Sequence, residues 1–315
     1  SQTLLTTLRM SDIHKLWMSD IRRFSRHGNM RTRTKINKEK RELRQSPPHS
    51  GKNYYFIAGL PRSGSTLLCN ILAQNPRFYV EGTSGIMDII FGIRNTWDQH
   101  LEFKARPNEP AKHRVMRGIL ESFYSDIEKP VVFDKCRGWL SLLEMAESIL
   151  GHKAKVLVPV RDMRDVLASF EKLWRIASEV SQTAQESAYY FKFQTVQGRC
   201  EVWLQGDQPV GLAYNRISDA LVRGFSDRMH FVDFDDLTAR PKETLAGIYK
   251  FLGEASFAHD FNNVKQVTSE DDSVHGFKNL HTIRSKVEPL PPQWPKILGP
   301  FAEQYGKLNF WQSKA

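Results

Sequence analysis

The chain has 315 residues, of which 40% are hydrophobic and 11% aromatic, and this is enough for the core of one large α/β domain or two small ones. Its formal net charge is +10, but residues 1–50 hold 12 Lys and Arg against 4 Asp and Glu, so the rest of the chain is nearly neutral. No apolar run approaches the roughly 18 residues of a membrane-spanning helix, and the three widely spaced cysteines predict neither a disulfide framework nor a metal site.

The first predicted element is an amphipathic helix over about residues 3–26, because Ile13, Leu16, Trp17, Ile21 and Phe24 fall near helical spacing. A polar, basic stretch follows, and the Pro- and Gly-containing residues 46–51 read as a linker. We therefore divide the chain into a basic, partly helical extension at 1–50 and a main domain at 51–315.

The partner of this extension is left open by the sequence. A basic segment suits an acidic partner or nucleic acid, and an apolar helix face suits self-association. A solvated tail without a specific ligand is the alternative. The charged start of the chain lacks a signal-peptide pattern, so we expect a cytoplasmic protein.

Strand and helix patterns alternate along the main domain. The predicted strands are Tyr54–Ala58, Val131–Phe133, Val156–Val160 and Met229–Phe234. The predicted helices are Ser65–Gln74, Trp139–Leu150, Asp165–Trp174 and Pro241–Leu252. Short apolar strands between helices predict an α/β fold with three αβα layers around a parallel sheet. Residues 178–224 read as a mostly helical insert.

A glycine-rich turn between the first strand and the first helix predicts an anion site. Gly59 and Gly64 let the backbone curl, and the next helix directs its unpaired N–H groups and positive dipole end at the same point. Three hydroxyl side chains add donors there, namely Ser63, Ser65 and Thr66.

The spacing of this turn resembles a P-loop, with one large departure. Ser65 stands where a P-loop has its Lys, and the cation lies inside the turn as Arg62, whose planar fork can hold two oxygens of one sulfate or phosphate. A kinase or NTPase would need that Lys and an acidic strand end for Mg²⁺. This class is the first alternative function. The other alternative is a plain strand–turn–helix in which the turn has no ligand-binding role.

A second basic residue, Arg161, follows the strand Val156–Val160 at the edge of a parallel sheet where ligands bind. Ser169 lies eight residues later, about two helical turns on, and can face the same side. The two side chains can therefore bind the same phosphate group. The turn without Lys is one anion site, and the Arg161 and Ser169 pair is a second one beside it. Together they indicate a nucleotide that carries phosphates at both ends of its ribose.

These two blocks resemble the family of sulfotransferases that depend on 3′-phosphoadenosine-5′-phosphosulfate (PAPS), in the branch with Arg in the 5′-phosphosulfate loop that includes tyrosylprotein and many bacterial and phage enzymes. The resemblance covers about residues 53–288 and implies a P-loop-like fold. It implies that residues 62–66 hold the 5′-phosphosulfate and that Arg161 and Ser169 hold the 3′-phosphate. Further matches imply that Lys135 meets the sulfuryl group and that Phe234 lies by the nucleotide. In a late basic loop, Arg284 and Lys286 are implied to close on it.

The expected activity is transfer of a sulfuryl group from PAPS to a hydroxyl or amine, with Arg62 and Lys135 stabilising charge and no metal involved. For the base, the resemblance points to Glu81, which follows the strand-like residues 77–80, with Asp88 as the next choice. A non-catalytic nucleotide-binding scaffold with a nucleic-acid-binding extension is the second alternative. The acceptor is not readable from the sequence.

Overall fold

The computed structural model describes residues 51–178, 184–275 and 280–314. The predicted N-terminal helix, its linker and the domain boundary near residue 51 lie outside the described residues and stay predictions. Within the described part, no helix combines the length and apolarity needed to cross a membrane.

The centre of the domain is a parallel sheet whose strands follow the order β2-β3-β1-β4-β5. The strands are β1 Asn53–Ile57, β2 Phe78–Thr83, β3 Val131–Lys135, β4 Val156–Val160 and β5 Met229–Asp233. Ile57 of β1 pairs with Lys135 on one side and with Leu157 on the other. Because all strands run in one direction, the turn after β1 and the residues that end β3 and β4 lie at the same edge.

Helices cover both faces of this sheet. The α-helices are α1 Ser65–Leu72, α2 Ile86–Gln99, α3 Leu101–Ala105, α4 Glu109–Phe123, α5 Leu143–Leu150, α6 Met163–Ser178, α7 Ala184–Ala188, α8 Tyr190–Phe193, α9 Val196–Trp203, α10 Pro209–Val222, α11 Phe234–Ala239, α12 Pro241–Leu252 and α13 Trp294–Ile297. Short 3-10 helices lie at Arg137–Leu142, Ser226–Arg228, Asp272–His275, Pro300–Leu308 and Phe310–Lys314.

Two apolar layers hold the helices on the sheet, since successive strand side chains point to opposite faces. Tyr55 and Ile57 of β1 pack in the layer that contains α1 and α12. Tyr54 and Phe56 pack in the other layer, which contains α2, α4, α5, α6 and α10. The three-layer αβα arrangement predicted from the sequence is confirmed.

The predicted strands and helices of the main domain are present within a few residues, and α7 to α10 occupy the predicted helical insert. Two differences concern β3, which continues past Phe133 to Lys135, and the predicted helix at 139–150, which begins as a 3-10 turn. Helices α2 and α4 were not predicted. Each exposes large apolar side chains, such as Ile89 and Phe123, which blurs the apolar stripe of an amphipathic helix.

Candidate functional site

The turn between β1 and α1 is held tightly against β4. A Cβ atom at Gly59 would meet the Pro159 carbonyl oxygen at 2.2 Å, so only glycine allows this approach. Ser63 is buried, and its hydroxyl donates to the Leu60 carbonyl at 2.6 Å and lies 3.0 Å from that of Pro159. Its side chain therefore fixes the turn, which leaves its backbone N–H as the group available to an anion.

The start of α1 is open to a ligand. Gly64 takes a left-handed conformation with φ 80° before the helix, and no side chain of the described residues caps it. The first N–H groups of a helix have no partner inside it, so they can bind an anion. Ser65 and Thr66, in the first turn, line a cavity at this point.

This cavity has a volume of about 850 Å³, within the usual range for ligand sites. Seven of its lining side chains are Arg or Lys and three are carboxylates. The basic ones are Arg62, Lys135, Arg137, Arg161, Arg216, Arg284 and Lys286, and the acidic ones are Asp88, Glu270 and Glu288. The excess of positive charge favours an anionic ligand.

Arg62 joins the two predicted anion sites. It takes a left-handed φ of 59°, which is uncommon for a residue with a side chain and aims its guanidinium into the cavity. Its Nε donates to Ser169 Oγ at 3.0 Å, and its Nη1 donates to the Leu280 carbonyl at 2.7 Å. Burial lowers the pKa of Arg62, and the positive charge of Arg161 lowers it further.

Arg161, at the end of β4, has an unused hydrogen-bond donor. Its guanidinium lies 4.5 Å from the centre of the Phe234 ring and 3.8 Å from an Asp165 oxygen. Its Nε is buried without a hydrogen-bond partner, which is costly unless a ligand oxygen takes that place. Phe234 also covers the turn, because a Cβ at Gly64 would meet its ring at 2.4 Å.

Lys135 ends β3 inside the same cavity and pairs with a carboxylate from a distant segment. Its ammonium lies 3.2 Å from Glu270, and both side chains are nearly buried. The same Glu270 oxygen accepts from the backbone N–H of Thr83 at 2.9 Å. Burial alone would raise the pKa of Glu270, but the charge of Lys135 and the Thr83 N–H outweigh it and lower that pKa.

The late basic loop also reaches the cavity. Arg284 and Lys286 line it, and Lys286 pairs with Glu288 at 2.9 Å. In the same segment, Nδ1 of His281 lies 2.5 Å from an Asp272 oxygen. The loop therefore forms part of the cavity wall, and its Leu280 carbonyl accepts from Arg62.

Glu81 is not brought to this cavity. It is exposed on β2, and its carboxylate accepts a hydrogen bond from Tyr79. The pairing of β2 with β3 shifts register between Val80 and Thr83, and after this irregularity Thr83 is the β2 residue that lines the cavity. Asp88, the second choice for a base, does line it.

Four charged cavity side chains were not identified by the sequence analysis, namely Glu270, Glu288, Arg137 and Arg216. Glu270 lies in an irregular segment 135 residues after Lys135, and no local pattern marks it. Arg137, two residues after Lys135, could have been flagged by its position at a strand end. Arg216 is one of two charged residues on α10, the other being Asp219, and it has no such position at a strand end.

Four tryptophans of the described residues have different surroundings. Trp174 on α6 and Trp203 on α9 line the cavity. Trp139 is fully buried and donates to Asp134 at 2.6 Å, so it belongs to the core. Trp97 stacks on Phe103 with ring centres 3.9 Å apart.

Comparisons with known proteins agree with this architecture. The domain resembles a sulfotransferase domain from the curacin biosynthetic pathway, at 16% identity and a TM-score of 0.51 over 84% of this chain and 98% of that one. This likeness supports a shared fold. The sulfotransferase domain of the Synechococcus PCC 7002 olefin synthase gives 21% identity and a TM-score of 0.49 over 84% of this chain and 96% of that one. A mouse sulfotransferase complexed with PAP gives 12% identity and a TM-score of 0.44 over 87% and 88%.

A search of curated proteins finds no match to this sequence. The model of the sulfotransferase family matches residues 55–258, which run from β1 past the end of α12 and include the turn, Lys135, Arg161 and Phe234. Because this match spans well over half of the sequence, the chain belongs to the sulfotransferase family.

Proposed function

We propose that this protein transfers a sulfuryl group from PAPS to a hydroxyl or amine of an acceptor. The observation that carries the proposal is one cavity that the uncapped start of α1 and Arg161 line together, and whose charged side chains are mostly basic. PAPS carries a phosphosulfate at one end and a phosphate at the other, and such a lining suits both. Membership of the family supports sulfuryl transfer as the reaction class.

In this proposal, the turn and the end of β4 bind the donor. The α1 N–H groups and the Ser65 and Thr66 hydroxyls hold the 5′-phosphosulfate, with Arg62 beside them. Arg161 and Ser169 hold the 3′-phosphate, and the Phe234 ring packs by the nucleotide. Arg284 and Lys286 add positive charge from the late loop. When bound, the donor supplies the sulfuryl group. The bond between sulfur and the 5′-phosphate oxygen breaks and leaves its electron pair on the phosphate, while the acceptor atom forms a bond to sulfur.

Lys135 is the proposed electrostatic catalyst. An ammonium group has three N–H donors, and only one is needed for Glu270. The others remain for oxygens of the transferring group and of the leaving phosphate, where negative charge develops. Glu270 and the end of β3 hold the ammonium in place, so little reorganisation is needed during transfer.

Asp88 is the proposed base. Of the three cavity carboxylates, Glu288 pairs with Lys286, and Glu270 pairs with Lys135 and accepts from Thr83. A carboxylate bound in this way has a lowered pKa and takes up a proton poorly. Asp88, in the first turn of α2, makes no hydrogen bond or ion pair with the described residues and is exposed in the cavity.

The class of nucleotide is tested by thermal unfolding. We expect adenosine 3′,5′-bisphosphate to raise the melting temperature, because a ligand at 100 times its Kd stabilises a protein by about 2.7 kcal/mol. Mg-ATP should have a much smaller effect. A larger shift with Mg-ATP would favour a kinase or NTPase, and salt-sensitive nucleic-acid binding without nucleotide binding would favour a scaffold.

The two donor-binding arginines give a second expected result. Arg62→Ala and Arg161→Ala should each weaken bisphosphate binding by about 1.5–3 kcal/mol, the range for hydrogen bonds to charged groups. Calorimetric titration measures this loss, and Arg114→Ala, at an exposed position of α4 outside the cavity, serves as the control. Unchanged affinity in both variants would remove the donor assignment.

A further inference from the structure

Two arginines of the cavity are not used by the proposed donor site. Arg137 begins the 3-10 helix directly after β3, and Arg216 lies on α10, which packs against that 3-10 helix. Both side chains line the cavity. Neither makes a hydrogen bond or an ion pair with any residue that the structure describes.

The two guanidinium groups act on each other as like charges. Water reaches the Arg137 side chain through the cavity, but most of the atoms around it belong to the protein. The resulting loss of hydration is the main cause that lowers the pKa of Arg137. The positive charge of Arg216 lowers that pKa further, while Cys136 and Glu270 act in the opposite sense. Partly desolvated like charges without a bonded counterion are unfavourable, and an anion bound to both offsets that cost.

The two arginines differ in their relation to the donor, because the charge of Arg137 also acts on Arg62 and helps to lower its pKa, whereas Arg216 lies on an element that makes no proposed donor contact. The proposed donor contacts come from the turn, the end of β4, Ser169 of α6, the start of α11 and the late loop. Arg216 instead lies on α10, in the part of the cavity that α2, α6, α9 and α10 form, which we call the helical side. Besides Arg216, Asp88 and Ser169, the cavity residues of these helices are apolar, namely Met87, Phe170, Leu173, Trp174, Trp203 and Pro209.

Lys135 adjoins the donor-binding turn, because it pairs with Ile57 at the end of β1. It is two residues before Arg137 in the chain and contacts the transferring group in the proposed reaction. A molecule held by Arg137 and Arg216 on the helical side would therefore approach the sulfuryl group from the side where an acceptor must lie.

From this arrangement we infer that the acceptor is an amphipathic molecule that carries an anionic group, such as a carboxylate, in addition to the hydroxyl or amine that receives the sulfuryl group. Arg137 and Arg216 bind the anionic group, and the wall that contains Trp174 and Trp203 covers the apolar part. This inference rests on the proposed function, because it assigns the other half of the cavity to the donor.

The test compares acids with their uncharged esters. Calorimetric titration of protein saturated with adenosine 3′,5′-bisphosphate measures the binding of 10-hydroxydecanoate and 4-hydroxyphenylacetate, each beside its methyl ester. We expect at least one acid to bind about 10- to 100-fold more tightly than its ester, as for hydrogen bonds to a charged group. In Arg216→Gln and in Arg137→Gln this preference should fall to about threefold or less, and Arg114→Gln should keep it.

Each failure has a distinct meaning. Equal binding of acid and ester in both pairs, absence of binding by all four probes, or retention of the preference in both variants would overturn the anionic acceptor. A loss of bisphosphate affinity in Arg216→Gln and Arg137→Gln would assign the two arginines to the donor instead and would also overturn it. If the bisphosphate fails to bind the unaltered protein, the proposed function fails first.

Discussion

Replacing Lys135 with alanine is expected to lower kcat for sulfuryl transfer by about 10²- to 10³-fold, the loss seen when one donor to a developing negative charge is removed. The affinity for adenosine 3′,5′-bisphosphate should change less, because that product keeps the 5′-phosphate but lacks both the sulfuryl oxygens and the charge that develops during transfer. Single-turnover rates and calorimetric titration measure the two quantities separately.

The ion pair of Lys135 with Glu270 must be controlled in this experiment. Removal of the lysine leaves Glu270 nearly buried without its cation, which can disturb the cavity by itself. The double variant Lys135→Ala with Glu270→Gln removes both charges, and Glu270→Gln alone keeps the lysine. Both variants that lack Lys135 should be slow, whereas Glu270→Gln should retain most of its rate. Near-normal kcat in the double variant would show that Lys135 has no catalytic role.

Much of the site could be predicted because its central part is local in sequence. Gly59, Gly64 and the hydroxyl residues between strand and helix specify a turn by backbone conformation alone. Arg161 follows a short apolar strand, and parallel topology brings such strand ends to one edge. Lys135 was assigned by the family resemblance, and it lines the same cavity as the turn.

The remainder of the site depends on contacts between distant segments. Glu270 reaches Lys135 and Thr83 from an irregular segment that has no periodic pattern. Arg137 and Arg216 come together only because the 3-10 helix after β3 packs on α10. Glu81 was favoured by its place in the sequence, yet a change of register in β2 brings Thr83 to the cavity instead, and such an irregularity is not encoded in the apolar pattern.

The second prediction with a large expected effect on kcat concerns which cavity carboxylate is the base. Asp88→Asn is expected to lower kcat by about 10²- to 10⁴-fold, the usual contribution of a positioned acid or base, because the amide cannot take the proton of the acceptor. Donor affinity should remain within about twofold, because Asp88 lies on α2, outside the elements proposed to bind the nucleotide.

Two matched variants separate this role from a structural one. Glu81→Gln changes a carboxylate outside the cavity and should keep the normal rate. If Glu270→Gln abolishes turnover while Asp88→Asn retains it, the base is the carboxylate paired with Lys135. The lowered pKa of Glu270 would then have to be overcome when the acceptor binds, since a carboxylate that gives up its proton readily is a weak base.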